Sequence, residues 1–132
     1  MGRGIEVAIT VEALLAGARA RLERVTPEAA RDQAANGAAL IDIRSDGQRA
    51  RDGELPGAFV IQRNVLEWRL DPDCPDREPA LAQRGRRVIL ICNEGYQSSL
   101  AAATLRRFGL DATDVIGGAQ AWRASGLPLE RS

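Results

Sequence analysis

The sequence contains no histidine and no lysine. Its 132 residues carry 18 basic side chains, all of them arginine, against 18 acidic ones, so the formal net charge is zero. Without histidine there is no Ser-His-Asp triad, no Cys-His couple and no HExxH zinc helix; without lysine there is no Schiff base or Walker-type phosphate lysine. A zero net charge provides no overall field for nucleic acid or an anionic membrane. Any chemistry must therefore use cysteine, carboxylates, hydroxyls, arginine or the backbone.

Cysteine is also scarce. Cys74 and Cys92 are too few for a disulfide framework or a four-ligand zinc site, and a chain of this length with 45% apolar residues can bury a core without bridges. The apolar stretch over residues 7–16 is interrupted by Glu12 and followed by three arginines, a pattern typical of neither a signal peptide nor a membrane span. We expect a cytoplasmic protein that binds neither membrane nor nucleic acid.

Helix and strand signals alternate along the chain. An amphipathic helix is predicted from Val11 to near Arg24, and a second helix starts at Thr26-Pro27 and stops at Asn36-Gly37. Strands are predicted over 39–44, 58–61, 88–92 and 112–116, those over 39–44 and 88–92 as buried ones, with helical segments over 45–52, 64–70, 100–108 and after Gly117-Gly118. This order predicts the α/β class, with a small, mostly parallel sheet flanked by helices. Trp68 and Trp122 lie on apolar sides of their segments and are predicted to be in the core.

Cys92 ends the most apolar predicted strand and is the candidate reactive residue. Sites in parallel sheets form where the carboxyl ends of strands meet helix N-termini. Gly95 lets the following loop curl, and Ser98 or Ser99 is predicted to cap the next helix, whose positive end favours a thiolate. The alternative interpretation is a buried structural cysteine that finishes a core strand.

Four motifs follow one another in a familiar order: Leu40-Ile41-Asp42-Ile43-Arg44, Gly53-Glu54-Leu55-Pro56-Gly57-Ala58, the loop after Cys92, and Gly117-Gly118 with Trp122. Together they resemble the rhodanese-like domain, a sulfurtransferase fold, from about Thr26 to Leu129. The resemblance implies that residues 1–25 form an N-terminal helical extension and that residues 26–132 form one rhodanese-like domain. The resemblance implies that Cys92 accepts a sulfane sulfur as a persulfide and passes it to a thiol or another nucleophile. The same match implies that the loop binds the persulfide through its amides, over Asn93, Glu94, Gly95, Tyr96, Gln97 and Ser98.

The resemblance further implies a small-molecule or protein sulfur donor, a thiol acceptor, and either a monomer or a homodimer. No metal or cofactor is expected, because convergent amides can stabilise a persulfide anion. Phosphatase activity is not expected, because related phosphatases need arginine six positions after the cysteine, where this chain has Ser98.

Three positions depart from the family pattern. Glu54 stands where many members have histidine, Gln97 where many have arginine, and Glu94 adds a negative charge to the loop. These changes predict that a thiol persulfide, rather than dianionic thiosulfate, is the donor. They also keep open a non-catalytic, sulfur-carrier or redox-sensing module, the last of which would be indicated by a bridge from Cys92 to Cys74.

Three further residues complete the candidate site. Asp42 and Arg44 match the family's Asp-x-Arg, and we expect them either to support the scaffold or to line the pocket mouth. Arg63 follows the next strand, and we expect it either to be solvated or to face an anionic acceptor. Tyr96 in the loop either covers the cysteine or points outward.

Overall fold

A computed structural model describes residues 7–131 of the protein. The first six residues of the predicted extension and Ser132 lie outside this range. The described helices and strands are, in chain order, α1 (Val11–Arg19), α2 (Pro27–Ala35), β1 (Ala39–Asp42), α3 (Asp46–Asp52), β2 (Phe59–Val60), a 3-10 helix (Arg63–Val65), α4 (Leu66–Leu70), β3 (Arg87–Ile91), α5 (Gln97–Arg107), β4 (Asp111–Asp114) and α6 (Gly118–Ala124). None of these helices is long and apolar enough to cross a membrane.

The strands form one parallel sheet in the order β2-β1-β3-β4, so β1 and β3 are central. The predicted α/β class with a parallel sheet is therefore confirmed. Thr26 caps α2 with Pro27 at its first turn, and Ser45 forms a full capping box with Gln48 at the start of α3. These local signals place both helices where the sequence predicted them.

Side chains alternate between the two faces of the sheet and fill two cores. Val88, Leu90 and Cys92 belong to the core beneath α4 and α5, whereas Ile89 and Ile91 belong to the core that includes Trp122 of α6. Cys92 continues the alternation of β3, so its side chain lies on the α5 face. The prediction that Trp122 is buried is correct.

Two sequence predictions about α1 and α4 are wrong. The first helix ends at Arg19 rather than near Arg24, because the chain must turn to bring Val25 beside Val115 at the edge of the sheet. There Val25 N donates to Asp114 O at 3.1 Å. Trp68 is 57% exposed, because Leu66 and Leu70 form the buried side of the short α4 and leave Trp68 outside.

Candidate active site around Cys92

Cys92 lies directly after the central strand β3, at the edge of the sheet where the strands end. It is only 2% exposed, so its sulfur lies at the base of the loop formed by residues 93–96. The loop runs straight into α5. The carboxyl end of a strand and a helix N-terminus therefore meet at the sulfur, as predicted.

Among residues 7–131, two groups form hydrogen bonds with the Cys92 sulfur. The backbone N–H of Gly95 donates to Sγ at 3.1 Å, and the thiol donates to Ser98 Oγ at 3.2 Å. Both distances are within the range of sulfur hydrogen bonds. The sulfur therefore has a donor on one side and a hydroxyl on the other, which is more polar contact than a cysteine that only fills a core would need.

The carbonyl groups of the loop are held from behind. The first turn of α6 takes two of them: Ala119 N donates to Cys92 O at 2.8 Å, and Gln120 N donates to Asn93 O at 3.1 Å. This close approach explains Gly117-Gly118, because a Cβ on Gly118, whose φ is +62°, would overlap the carbonyl oxygen of Cys92.

The carbonyl of Gly95 is held by two arginines that precede α2. Arg19 Nη2 and Arg24 Nη2 donate to Gly95 O at 2.8 and 3.0 Å. Gly95 has a φ of +87°, and a Cβ there would lie 2.9 Å from Gly117 N, so only glycine fits. The sequence did not predict that these arginines reach the loop. Their bonds fix the orientation of the Gly95 peptide.

The outer side of the loop is exposed at Glu94, Tyr96 and Gln97. Tyr96 is 60% exposed, and the Arg19 guanidinium lies 5.8 Å from the centre of its ring. Of the two expected orientations of Tyr96, the outward one is observed. Within residues 7–131, no protein acceptor takes the backbone N–H groups of Asn93, Glu94, Tyr96, Gln97 or Ser98.

Ser98 and Ser99 do not cap α5, contrary to prediction. Helix α5 begins one residue earlier, at Gln97, and no side chain caps it. Both serines are fully buried and donate to Oδ2 of Asp114, at 2.7 Å from Ser98 and 2.8 Å from Ser99. Asp114 was missed from the sequence, although an aspartate beside Thr113 in an otherwise buried strand is a signal that could have found it.

Asp42 and Arg44 form a buried ion pair at the end of β1. Arg44 Nη2 lies 2.7 Å from Asp42 Oδ2 and also donates to Gly53 O at 2.9 Å, which ties the strand to the end of α3. Arg44 also lines a groove of about 510 Å³ together with Ile43, Gln62, Arg63 and Gln97. Arg63 pairs with Glu67 at 2.8 Å and so is not fully solvated.

The Asn93 side chain is held by side-chain hydrogen bonds that connect it to Gln120 and Asp52. Gln120 Nε2 donates to Asn93 Oδ1 and to Asp52 Oδ2, both at 2.9 Å. Hydrogen bonds from Arg51 and Gln120 lower the pKa of Asp52 to about 2. The Asn93 side chain therefore braces the loop and does not contact the sulfur of Cys92.

Both cysteines are free in the structure. Among residues 7–131, no group of three or more Cys, Asp or Glu side chains is arranged to hold a metal ion. Glu54 pairs through its backbone with Glu130, and its carboxylate lies 3.4 Å from Arg49. Glu54 is thus engaged by α3 and the C-terminal segment.

The Rhodanese-like domain family model matches residues 26–125. This chain belongs to the rhodanese-like family. It is 33% identical over 111 residues to the thiosulfate sulfurtransferase GlpE of Actinobacillus succinogenes, and the aligned region covers 80% of this chain and 88% of that protein. The rhodanese-like match starts at Thr26, so α1 and Arg24 precede the matched range. The division into an extension and a domain at this point stays a prediction.

Two solved structures share the rhodanese-like architecture over most of the chain. A protein of unknown function from Rhodopseudomonas palustris, described as a possible tyrosine phosphatase, is 32% identical with a TM-score of 0.85, covering 98% of this chain and 100% of that one. The polysulfide-sulfur transferase homodimer of Wolinella succinogenes is 25% identical with a TM-score of 0.73, covering 92% and 88%. Sulfurtransferases are therefore among the relatives of this chain.

Proposed function

We propose that this protein is a sulfurtransferase that carries a sulfane sulfur as a persulfide on Cys92. The observation that supports this most is the Gly95 N–H donated to Cys92 Sγ at 3.1 Å, in a loop whose neighbouring amides have no protein acceptor. Amides that converge on one place stabilise an anion without a cationic side chain. In this proposal the amides from Asn93 to Ser98 bind the persulfide.

The reaction is a sulfur transfer in two halves with no net oxidation. The Cys92 thiolate attacks the outer sulfur of a thiol persulfide, R–S–S–H; the new Sγ–S bond forms, the donor S–S bond breaks, and RS⁻ leaves with the electron pair. Cys92 releases one proton to solvent when it becomes a thiolate, and RS⁻ takes up one proton from solvent when it becomes RSH, so protons balance. An acceptor thiolate then attacks the outer sulfur of the persulfide and releases the Cys92 thiolate.

A thiol persulfide is the donor class that the charges favour. Arg24 is neutralised by Asp114 at 2.9 Å, and the single charge of Arg19 is matched by that of exposed Glu94. Dianionic thiosulfate therefore meets no net positive charge at the loop. The groove beside Arg44, Arg63 and Gln97 adjoins the loop and is the proposed place for the rest of the donor.

The test is intact-mass analysis of reduced protein after exposure to glutathione persulfide or to thiosulfate. We expect a gain of one sulfur atom that cyanide removes, in wild type and in Cys74→Ala, but not in Cys92→Ala. Cys74 is the matched control because it is the other free cysteine and lies in the surface loop between α4 and β3.

Other outcomes point to the alternatives. No sulfur on Cys92 from either donor would reject the proposal. A stable persulfide that no thiol acceptor removes would favour a sulfur carrier, and a Cys92–Cys74 bridge after mild oxidation would favour a redox sensor. Hydrolysis of p-nitrophenyl phosphate by wild type but not by Cys92→Ala would instead favour phosphatase chemistry.

A further inference from the structure

A buried carboxylate lies behind the reacting sulfur. Asp114, the last residue of β4, is fully buried and accepts four hydrogen bonds: Arg24 Nε on Oδ1 at 2.9 Å, and Arg24 Nη2, Ser98 and Ser99 on Oδ2 at 3.2, 2.7 and 2.8 Å. A buried carboxylate without partners is strongly unfavourable, so these donors account for its presence. Of the four, only the bond from Ser98 comes from a side chain that also contacts the Cys92 sulfur.

The Ser98 hydroxyl has one proton, which it can donate either to Asp114 or to the Cys92 sulfur. When Cys92 is a thiol, its S–H donates to Ser98 Oγ and the Ser98 hydroxyl donates to Asp114. When the sulfur is a thiolate, it has no proton to donate and becomes an acceptor. The Ser98 hydroxyl can then turn to the sulfur, because Arg24 and Ser99 still satisfy Asp114.

Resting on the proposed function, we propose that the Ser98 hydroxyl is a hydrogen-bond switch that stabilises the attacking thiolate of Cys92. Asp114 is the positioning residue that orients Ser98 in the thiol state, and Arg24 is the cation that lets Asp114 release it. No covalent bond changes in this step: the hydroxyl rotates and its proton stays on Ser98. The segment before α2 thus takes part in the site through Arg24.

The neighbouring serine offers a matched control. Ser98 and Ser99 are adjacent, both fully buried, and both donate to the same oxygen of Asp114, but only Ser98 contacts Cys92. Each variant removes one bond to the carboxylate, and Ser99→Ala also removes the contacts of Ser99 Oγ with Arg19 Nε at 3.1 Å and with Gly95 O at 3.3 Å. A larger loss of sulfur reactivity in Ser98→Ala than in Ser99→Ala therefore reports the contact with Cys92, because Ser99→Ala loses more of the other contacts. Both variants are made in a Cys74→Ala background, so that Cys92 is the only thiol.

Two rates are measured on each variant. The first is alkylation of Cys92 by iodoacetamide, which requires the thiolate but no sulfur donor. The second is persulfide formation from glutathione persulfide, followed by intact mass at several donor concentrations. For Ser98→Ala we expect both rates to fall about tenfold, with the donor concentration for half-maximal rate within about twofold, because Ser98 contacts the sulfur and not the donor. For Ser99→Ala we expect both rates to fall only about threefold, because Asp114 loses one donor and holds the Ser98 hydroxyl more firmly while the contact of Ser98 with Cys92 remains.

Equal rates for the two serine variants would overturn the proposal. If Ser98→Ala does not fold in thermal unfolding, Arg24→Gln replaces it, with Arg19→Gln as its control, because Arg19 also donates to Gly95 O but not to Asp114. In Arg24→Gln, Asp114 holds the Ser98 hydroxyl more firmly, and we expect alkylation to fall about threefold more than in Arg19→Gln; equal rates would again overturn the proposal. If wild type forms no persulfide, the proposed function fails, but the alkylation rates still decide whether the switch exists.

Discussion

Two aspartates end two strands of the same sheet, and they differ in where their arginine comes from. Asp42 ends β1 and pairs with Arg44, two residues later; Asp114 ends β4 and pairs with Arg24, 90 residues away in sequence. Both carboxylates are at most 1% exposed. By the alternation of side chains, Asp114 lies on the face of Cys92 and Asp42 on the opposite face.

The comparison separates a structural pair from a pair connected to the site. Within residues 7–131, the carboxylate oxygens of Asp42 accept only from Arg44, whose Nη2 also donates to Gly53 O and whose buried Nη1 has no hydrogen-bond partner. The Asp114 carboxylate, by contrast, accepts hydrogen bonds from two serines as well as from Arg24, and one of these serines contacts the Cys92 sulfur. The same two residue types therefore serve either as a local brace or as support for a reactive group, depending on a third partner.

The largest expected effect is that of Arg44→Gln on stability. The change leaves Asp42 buried without its cation, and breaking such a pair costs about 3–5 kcal/mol of the free energy of unfolding. Urea unfolding measures this loss. In native buffer, alkylation of Cys92 in the folded fraction should stay within about twofold of wild type. A loss below about 1 kcal/mol would show that the pair is not the brace described here.

Arg24→Gln should destabilise the protein less. Arg24 is partly exposed, and Ser98 and Ser99 still donate to Asp114, so we expect a loss of about 1–3 kcal/mol in the same urea measurement. Arg21→Gln, at an exposed neighbouring position, should stay within about 0.5 kcal/mol of wild type. If Arg24→Gln cost as much as Arg44→Gln, the two pairs would not differ as proposed.

Glu94→Gln tests whether the negative charge on the exposed side of the loop slows sulfur transfer from thiosulfate. Removing one surface negative charge should raise the rate of sulfur transfer from thiosulfate about two- to fivefold at low salt, and the gain should shrink as salt screens it. The rate with glutathione persulfide should change less than twofold. Both rates come from the same intact-mass assay, and an equal gain for both donors would contradict the charge argument.

The smallest expected effect concerns the titration of one carboxylate, that of Asp52, whose side chain is 7% exposed. Asp52 has its pKa lowered to about 2, against an ordinary value of 3.8, chiefly by the hydrogen bond from Arg51. A pKa lowered in the folded state stabilises the fold at higher pH, and this contribution is lost as pH falls from about 4 toward 2. Wild type should therefore lose more stability than Asp52→Asn over that interval in urea unfolding, and parallel curves would contradict this.

The sequence predicts those features whose cause is local. Thr26-Pro27 marks the start of α2, Ser45 caps α3, and the aliphatic run before Cys92 marks the central strand. The parallel order of the sheet follows from the alternation of elements. The place of Cys92 at the end of a central strand follows in the same way.

The missed features depend on contacts between distant segments. Nothing near Arg24 indicates that it will reach Asp114, because that contact depends on how Val25 joins the sheet edge. The two serines match a helix cap by type, but the buried carboxylate draws them inward. Trp68 was assigned to the core because the sequence does not show which side of a five-residue helix will be covered.

The bonds that hold the loop from behind also fix its electrical direction. In a trans peptide the carbonyl and the following N–H point in opposite directions, and no described peptide is cis. The carbonyls of Cys92, Asn93 and Gly95 are each tied to α6 or to an arginine, so the N–H groups of Asn93, Glu94 and Tyr96 point away from those partners. The peptide dipoles of the loop therefore point the same way, with their carbonyl ends bonded and their N–H ends free of partners within residues 7–131. The free N–H ends attract an anion even though the charged side chains around the loop sum to zero.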